Sequence, residues 1–234
     1  MGKDFVEAAL LTGSYALGFQ TPSSDVDVYI ILSDDVDWRE RGNVLVNGVL
    51  IEYFANPVRA VRRYFKDEHS KNKRNTARII LIGKVLFDKT GIIETPRAEA
   101  EKYMGKPFQK PEEARIELAK YILWDALDSL KDAEEREDPS YSYLYHLTLR
   151  EALESYARFL GTEIPPASKV YRLFSDEAFR KAYLFPDFPD NEFVSLFLRA
   201  MREVRTENVE ALVSHVLEKM GGFTIDGWKL RTRV

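Results

Sequence analysis

The chain has 234 residues, of which 45% are hydrophobic and 31% are charged, and its formal net charge is -4. This balance supplies a packed core for one large domain or two small ones. It argues against a disordered chain and against a protein that binds long duplex nucleic acid through bulk positive charge, and it leaves a local basic patch open. Cysteine is absent, which excludes disulfides and thiolate metal sites and favours oxygen-ligated hard cations such as Mg2+ or Mn2+.

The first part of the chain shows the mixed pattern of an α+β domain. Residues 25–32 are rich in β-branched side chains and predict a strand. Asn47-Gly48 lies between two short apolar runs, and this pair is the strongest local signal for a β-hairpin. The predicted elements are strands at 5–11, 25–32, 44–46, 49–54 and 85–87, and helices at 57–67 and 75–82.

The rest of the chain changes to a helical pattern. Proline and glycine interrupt residues 96–111, which we interpret as a linker. Apolar residues then recur at helical spacing in five segments, 116–130, 142–160, 176–183, 191–202 and 206–220. We therefore predict an α+β domain with a mixed sheet over residues 1–95, a linker over 96–111, and an all-α helical bundle over 112–234.

Two aspartates on the predicted strand 25–32 are the first candidates for chemistry. Side chains alternate along a strand, so Asp25 and Asp27 project from the same face. Two carboxylates this close repel each other unless a cation lies between them, and a divalent metal resolves that conflict. Upstream, Gly13 allows a phosphate to approach the backbone, where Ser14 offers a hydroxyl group. The pattern predicts a site for a metal and a phosphate.

The segments 11–18 and 24–28, Leu-Thr-Gly-Ser-Tyr-Ala-Leu-Gly and Ser-Asp-Val-Asp-Val, resemble the signature of the DNA polymerase beta-type nucleotidyltransferase superfamily. That signature is a Gly-Ser pair, a spacer, and two acids separated by one hydrophobic residue. A third acid follows on a later strand, where this chain has Glu52 between apolar residues; the family often has aspartate there. The resemblance extends to about residue 90.

The resemblance implies roles for these residues. Asp25, Asp27 and Glu52 would be the catalytic metal ligands, and Glu52 would help to deprotonate the acceptor. Gly13 and Ser14 would bind the β- and γ-phosphates, and we place Ser24, directly before the first aspartate, among the nucleotide-binding candidates. Alternatives at the level of single residues are a solvated Asp-x-Asp face and an exposed hairpin carboxylate at Glu52.

The helical half resembles, in architecture only, the second domain of kanamycin-type nucleotidyltransferases. Relatives use a lysine from that domain to reach the triphosphate, which makes Lys169 a nucleotide-binding candidate; a surface lysine is the alternative. Kanamycin-type enzymes take a general base for the acceptor from the same domain, which makes Glu151 a candidate. For Glu151 an ordinary salt bridge within its helix is the favoured alternative.

The function expected from this reading is metal-dependent transfer of a nucleoside monophosphate, AMP from ATP, to a hydroxyl of a small-molecule acceptor. The cofactor is Mg2+ or Mn2+, and ATP or another nucleoside triphosphate is the substrate. Two alternatives stay open, namely adenylylation of a partner protein or an RNA end, and nucleotide binding without catalysis. We expect a cytoplasmic protein with no signal peptide and no membrane partner, and we leave a homodimer open.

Overall fold

The computed structural model describes residues 5–231, and the chain folds into two compact units. The first unit runs to Lys106 and also includes Glu177–Pro186, and the remaining residues form the second. The strands of the first unit are β1 (Val6–Thr12), β2 (Val26–Leu32), β3 (Glu40–Val46), β4 (Val49–Pro57) and β5 (Lys84–Asp88). Its helices are α1 (Gly13–Leu17), α2 (Val58–His69), α3 (Asn75–Ile82), α4 (Glu94–Gly105) and α8 (Glu177–Ala182).

The five strands form one mixed sheet in the order β3-β4-β2-β1-β5. The pairing of β2 with β4 is parallel, and the other three pairings are antiparallel. The predicted hairpin is confirmed, because Asn47 and Gly48 join β3 to β4 with φ angles of 51° and 82°. Two positive φ values are the requirement of a type I′ turn, whose twist matches that of the strands. The expected α+β class is confirmed for this unit.

One face of the sheet carries the core of the first unit. Leu10 of β1 and Ile31 of β2 are fully buried there, together with Phe65 of α2 and Ile80 of α3. Because side chains alternate along a strand, Ile31 and Asp27 of β2 lie on the same face. The side chains on this face of β2 therefore run from the Asp27 carboxylate, at the end of the strand next to α1, to Ile31 in the apolar core.

The boundaries of this unit differ from those expected from the sequence. The segment 96–111, interpreted as a linker, is mostly helical, since α4 spans Glu94–Gly105 and packs on α2 and α3. Its buried Ala100 belongs to the same core cluster as Ile80. The sequence prediction assigned Glu177–Pro186 to the helical bundle, but this segment packs with the first unit. The sequence prediction interpreted the proline in the first turn of α4 as a sign of a linker, but a helix tolerates proline in its first turn.

The second unit is helical. Its helices are α5 (Glu113–Glu135), α6 (Tyr141–Leu160), α7 (Val170–Ser175), α9 (Asn191–Arg202) and α10 (Thr206–Lys219). The helices α5, α6, α9 and α10 share one core, which includes the fully buried Leu123, Phe193 and Leu212. After α10 the chain returns to α5, where Trp228 stacks on Tyr121 with ring centroids 4.3 Å apart. Within residues 5–231, helices that are both long enough and apolar enough to cross a membrane are absent.

Candidate active site

Three carboxylates meet where β2 begins. The parallel register places Asp27 of β2 directly beside Glu52 of β4, and Asp25 immediately precedes β2. Each of the three residues offers a carboxylate oxygen that lies within 4.8 Å of the other two, and each residue is partly buried. This is the one group of this kind among residues 5–231. Three carboxylate oxygens at this spacing are a donor set that suits Mg2+ or Mn2+.

A very close approach joins this group to the Gly-Ser turn. Thr12, the last residue of β1, pairs with Asp27, and its hydroxyl donates to the Asp27 carbonyl oxygen over 3.4 Å. Gly13 follows with a φ of 64°, and a Cβ built on it would lie 1.9 Å from Oδ2 of Asp27. The position therefore needs glycine for both its backbone conformation and its space. The Asp27 carboxylate lies against the backbone at which we expect phosphates to bind.

The loop after this turn is ordered by its own contacts. Ser14 lies in α1, a helix of one turn, and its carbonyl oxygen accepts a hydrogen bond from the Phe19 amide over 3.0 Å. Gly18 ends α1 in the left-handed conformation with a φ of 78°. Ser24 Oγ accepts a hydrogen bond from the Thr21 amide over 2.9 Å and also contacts the Thr21 hydroxyl. The Ser24 side chain therefore stabilises the turn, and its contact with a nucleotide stays a prediction.

Aromatic residues from a distant part of the chain hold the same loop. The ring of Phe19 contacts Phe179 of α8 edge-on, with centroids 5.0 Å apart, and it is stacked with the ring of Tyr183. Phe179 and Tyr183 are themselves in contact, with centroids 4.4 Å apart. Paired aromatic rings stabilise a contact by about 0.5–1.5 kcal/mol beyond the area they bury. Sequence analysis missed these two residues, because so large a separation along the chain leaves no local signal.

Arg41 of β3 is a further residue that sequence analysis missed. Its Nη2 donates to Oε1 of Glu52 over 2.7 Å and its Nε to the same oxygen over 3.2 Å. The guanidinium also lies over the Phe54 ring, 4.6 Å from the centroid. The signal was in the hairpin, since a two-residue turn at Asn47-Gly48 aligns Arg41 with Phe54 and places it on the face of Glu52.

The two candidates in the second unit, Glu151 and Lys169, lie in a helix and directly before a helix, respectively. Glu151 lies in α6, where its Oε1 accepts a hydrogen bond from Ser155 Oγ over 2.6 Å. Lys169 immediately precedes α7. A role for Glu151 as acceptor base and a role for Lys169 in nucleotide binding therefore stay predictions.

Comparison with known proteins assigns the first unit to a family. Residues 1–86 match the family described as nucleotidyltransferase domain. No curated protein sequence matches the chain. Among solved structures, a nucleotidyltransferase-like protein from Exiguobacterium sibiricum is similar, with 11% identity, a TM-score of 0.45, and a match covering 93% of this chain and 70% of that chain. The family match contains all three carboxylates and the Gly13-Ser14 turn, and it confirms the resemblance seen in the sequence. Residues 1–86 of this chain are therefore assigned to the nucleotidyltransferase domain family.

Proposed function

We propose that the protein transfers the AMP group of ATP to a hydroxyl of a small-molecule acceptor and releases pyrophosphate. The observation that carries this proposal is the meeting of Asp25, Asp27 and Glu52, whose oxygens lie within 4.8 Å of one another, beside the Gly13-Ser14 turn. Nucleotidyl transfer needs a place for phosphates next to a place for divalent cations, and these residues offer both.

The residues then have separate tasks in the reaction. Gly13 and Ser14 bind the β- and γ-phosphates through the backbone and the Ser14 hydroxyl. Asp25, Asp27 and Glu52 would hold Mg2+ or Mn2+, which when bound supplies charge neutralisation for the phosphates. The acceptor oxygen forms a bond to the α-phosphorus as the bond from that phosphorus to the bridging oxygen breaks. Pyrophosphate leaves with the electron pair, and we assign the hydroxyl proton to Glu52.

The identity of the nucleotide and of the acceptor depends on the sequence resemblance. ATP is our choice of substrate, and another nucleoside triphosphate would use the same phosphate contacts. A homodimer and a cytoplasmic location stay predictions from the sequence.

The test measures pyrophosphate release from ATP with Mg2+ or Mn2+ across a panel of hydroxyl compounds. Asp25→Asn and Asp27→Asn should each abolish the release, because each removes one charged oxygen ligand. Asp37→Asn is the matched control, since Asp37 is an exposed acid beyond the opposite end of β2 and should tolerate the change. Activity that survives both active-site substitutions at the wild-type level contradicts the proposal.

A further inference from the structure

The order of the strands places the Gly13-Ser14 turn and Arg41 on opposite sides of the carboxylate group. Gly13 follows β1, Asp27 lies on β2, Glu52 on β4 and Arg41 on β3, and these strands are consecutive neighbours across the sheet. The turn and the arginine are therefore the two flanks of the site.

Because the displacement is in-line, we expect ATP's pyrophosphate on one flank of the site and the acceptor on the other. The attacking and leaving oxygens lie on opposite sides of the α-phosphorus. If Gly13 and Ser14 bind the β- and γ-phosphates, as proposed above, pyrophosphate leaves over β1. The acceptor hydroxyl then approaches over β4 and β3, where Glu52 and Arg41 lie.

Two exposed arginines line this acceptor flank. The Arg41 side chain is 67% exposed. The two nitrogens that contact Glu52 both donate to the same oxygen, Oε1. Asn43, also exposed, is the direct neighbour of Glu52 on β3 and shares its face. Arg39, just before β3, is exposed too and donates to the Tyr64 hydroxyl over 2.5 Å. An arginine fixed on one side by a carboxylate and an aromatic ring still offers a planar set of donors to an anion.

We propose that the acceptor carries a phosphate group near its reacting hydroxyl and that Arg41 binds this phosphate. The inference rests on the proposed function. Arginine binds phosphate through charge-assisted hydrogen bonds, whereas a polycationic acceptor such as an aminoglycoside meets like charge at this flank. The acceptor's phosphate is unchanged in the reaction, because its neighbouring hydroxyl forms the new bond to the α-phosphorus. A sugar phosphate and the 3′-terminal nucleotide of an RNA both present this chemistry.

The first experiment measures binding without turnover. The protein, loaded with Mg2+ and a nonhydrolysable ATP analogue, is titrated by calorimetry with ribose, ribose 5-phosphate, a short RNA with a free 3′ hydroxyl, and a cationic aminoglycoside. We expect binding of at least one of the two phosphate-bearing compounds and weaker binding of ribose. Binding of ribose 5-phosphate agrees with the small-molecule acceptor of the proposed function, whereas binding of the RNA alone supports the phosphate contact but replaces that acceptor with an RNA end. Binding of neither, or preferred binding of ribose or the aminoglycoside, overturns the inference.

The second experiment tests Arg41 itself. Arg41→Gln should weaken binding of the phosphate-bearing ligand at least tenfold and change the affinity for ribose much less, and Arg41→Lys should lie between. Arg136→Gln, which removes an exposed arginine at the C-terminal end of α5, is the control for charge alone. Unchanged binding in Arg41→Gln refutes the role.

Measurement of pyrophosphate release distinguishes failure of this inference from failure of the proposed function. Release that depends on Asp25 and Asp27 but uses only neutral or cationic acceptors refutes this inference and leaves the proposed function intact. Absence of release with every acceptor refutes the proposed function.

Discussion

The carboxylate of Asp27 occupies the space into which a side chain at Gly13 would extend. A Cβ on Gly13 would lie 1.9 Å from Oδ2 and 2.8 Å from Cγ of Asp27. The glycine of the Gly-Ser pair therefore leaves space for a carboxylate of the proposed metal site, beside the backbone proposed to bind phosphate. This contact brings together the two parts of the motif, which a loop separates in the sequence.

Gly13→Ala should disable the site. The new methyl group forces the Asp27 carboxylate away from its position, and alanine at a φ of 64° is strained by about 1–2 kcal/mol. A displacement of about 1 Å at a reacting centre lowers the rate by about 100-fold. We expect a loss of pyrophosphate release of at least that size, measured with saturating metal.

Gly18→Ala is the matched control for that substitution. Gly18 has a φ of 78°, and a Cβ built there meets no atom within 4 Å. The variant should therefore lose about 1 kcal/mol of unfolding free energy from backbone strain and retain its activity. Equal loss of activity in both variants would mean that backbone strain, and not the Asp27 contact, accounts for the effect at Gly13.

Glu52→Gln should weaken binding of Mn2+ to the nucleotide-free protein by about tenfold or more, because the affinity of such a site depends on the number of charged ligands. Glu52→Asp keeps the charge and should bind more tightly than the glutamine variant. Titration calorimetry measures both. Glu40→Gln is the control in the same hairpin, because Glu40 contacts Tyr53 on the opposite face. Unaltered affinity in Glu52→Gln would remove Glu52 from the metal site.

Phe179→Leu should raise the KM for ATP several-fold, because it removes the ring that holds Phe19 and the loop after Ser14. It should also destabilise the protein by about 1 kcal/mol. Phe65→Leu changes a ring of similar burial in the core of the same unit and should destabilise to a similar extent with little change in KM. Thermal unfolding and ATP-dependent kinetics distinguish the two variants. Identical KM values in both would show that α8 has no effect on the loop.

Acid should destabilise the second unit through Asp190. Burial would raise the pKa of this carboxyl, but hydrogen bonds from the Phe193 amide, the Tyr156 hydroxyl and His215 outweigh it and lower the pKa to about 2. Because the folded pKa lies below the usual value near 3.8, the stabilisation is complete above about pH 4 and is lost as the pH falls toward 2.

The substitution Asp190→Asn isolates this contribution. Asparagine still caps α9 at its N-terminus but carries no charge, so its unfolding free energy should fall less steeply than that of wild type between about pH 4 and pH 2. Denaturant unfolding at several pH values measures the difference. Parallel curves for the two proteins would contradict the role given to Asp190.

Much of the protein could be predicted from the sequence, because the signals are local. The Asn-Gly pair specifies the β3–β4 turn through its backbone preferences, and helical periodicity indicates the long helices of the second unit. Asp25 and Asp27 indicate a metal site because side chains alternate along a strand, and the resemblance to a family signature connects them with the Gly-Ser pair. Where the local signal was ambiguous, as at α4 with its proline in the first turn, the sequence prediction was wrong.

Glu52 was a candidate from the family resemblance, but only the tertiary structure decided which distant residues contact one another at the site. Parallel pairing of β2 with β4 brings Glu52 beside Asp27, and the edge position of β3 brings Arg41 onto Glu52. Packing of α8 places Phe179 on Phe19 and makes residues 177–186 part of the first unit. The physical reason is that turn chemistry and periodicity act between neighbours in the chain. Strand partners and packing contacts are instead selected by the burial of side chains that are far apart in sequence.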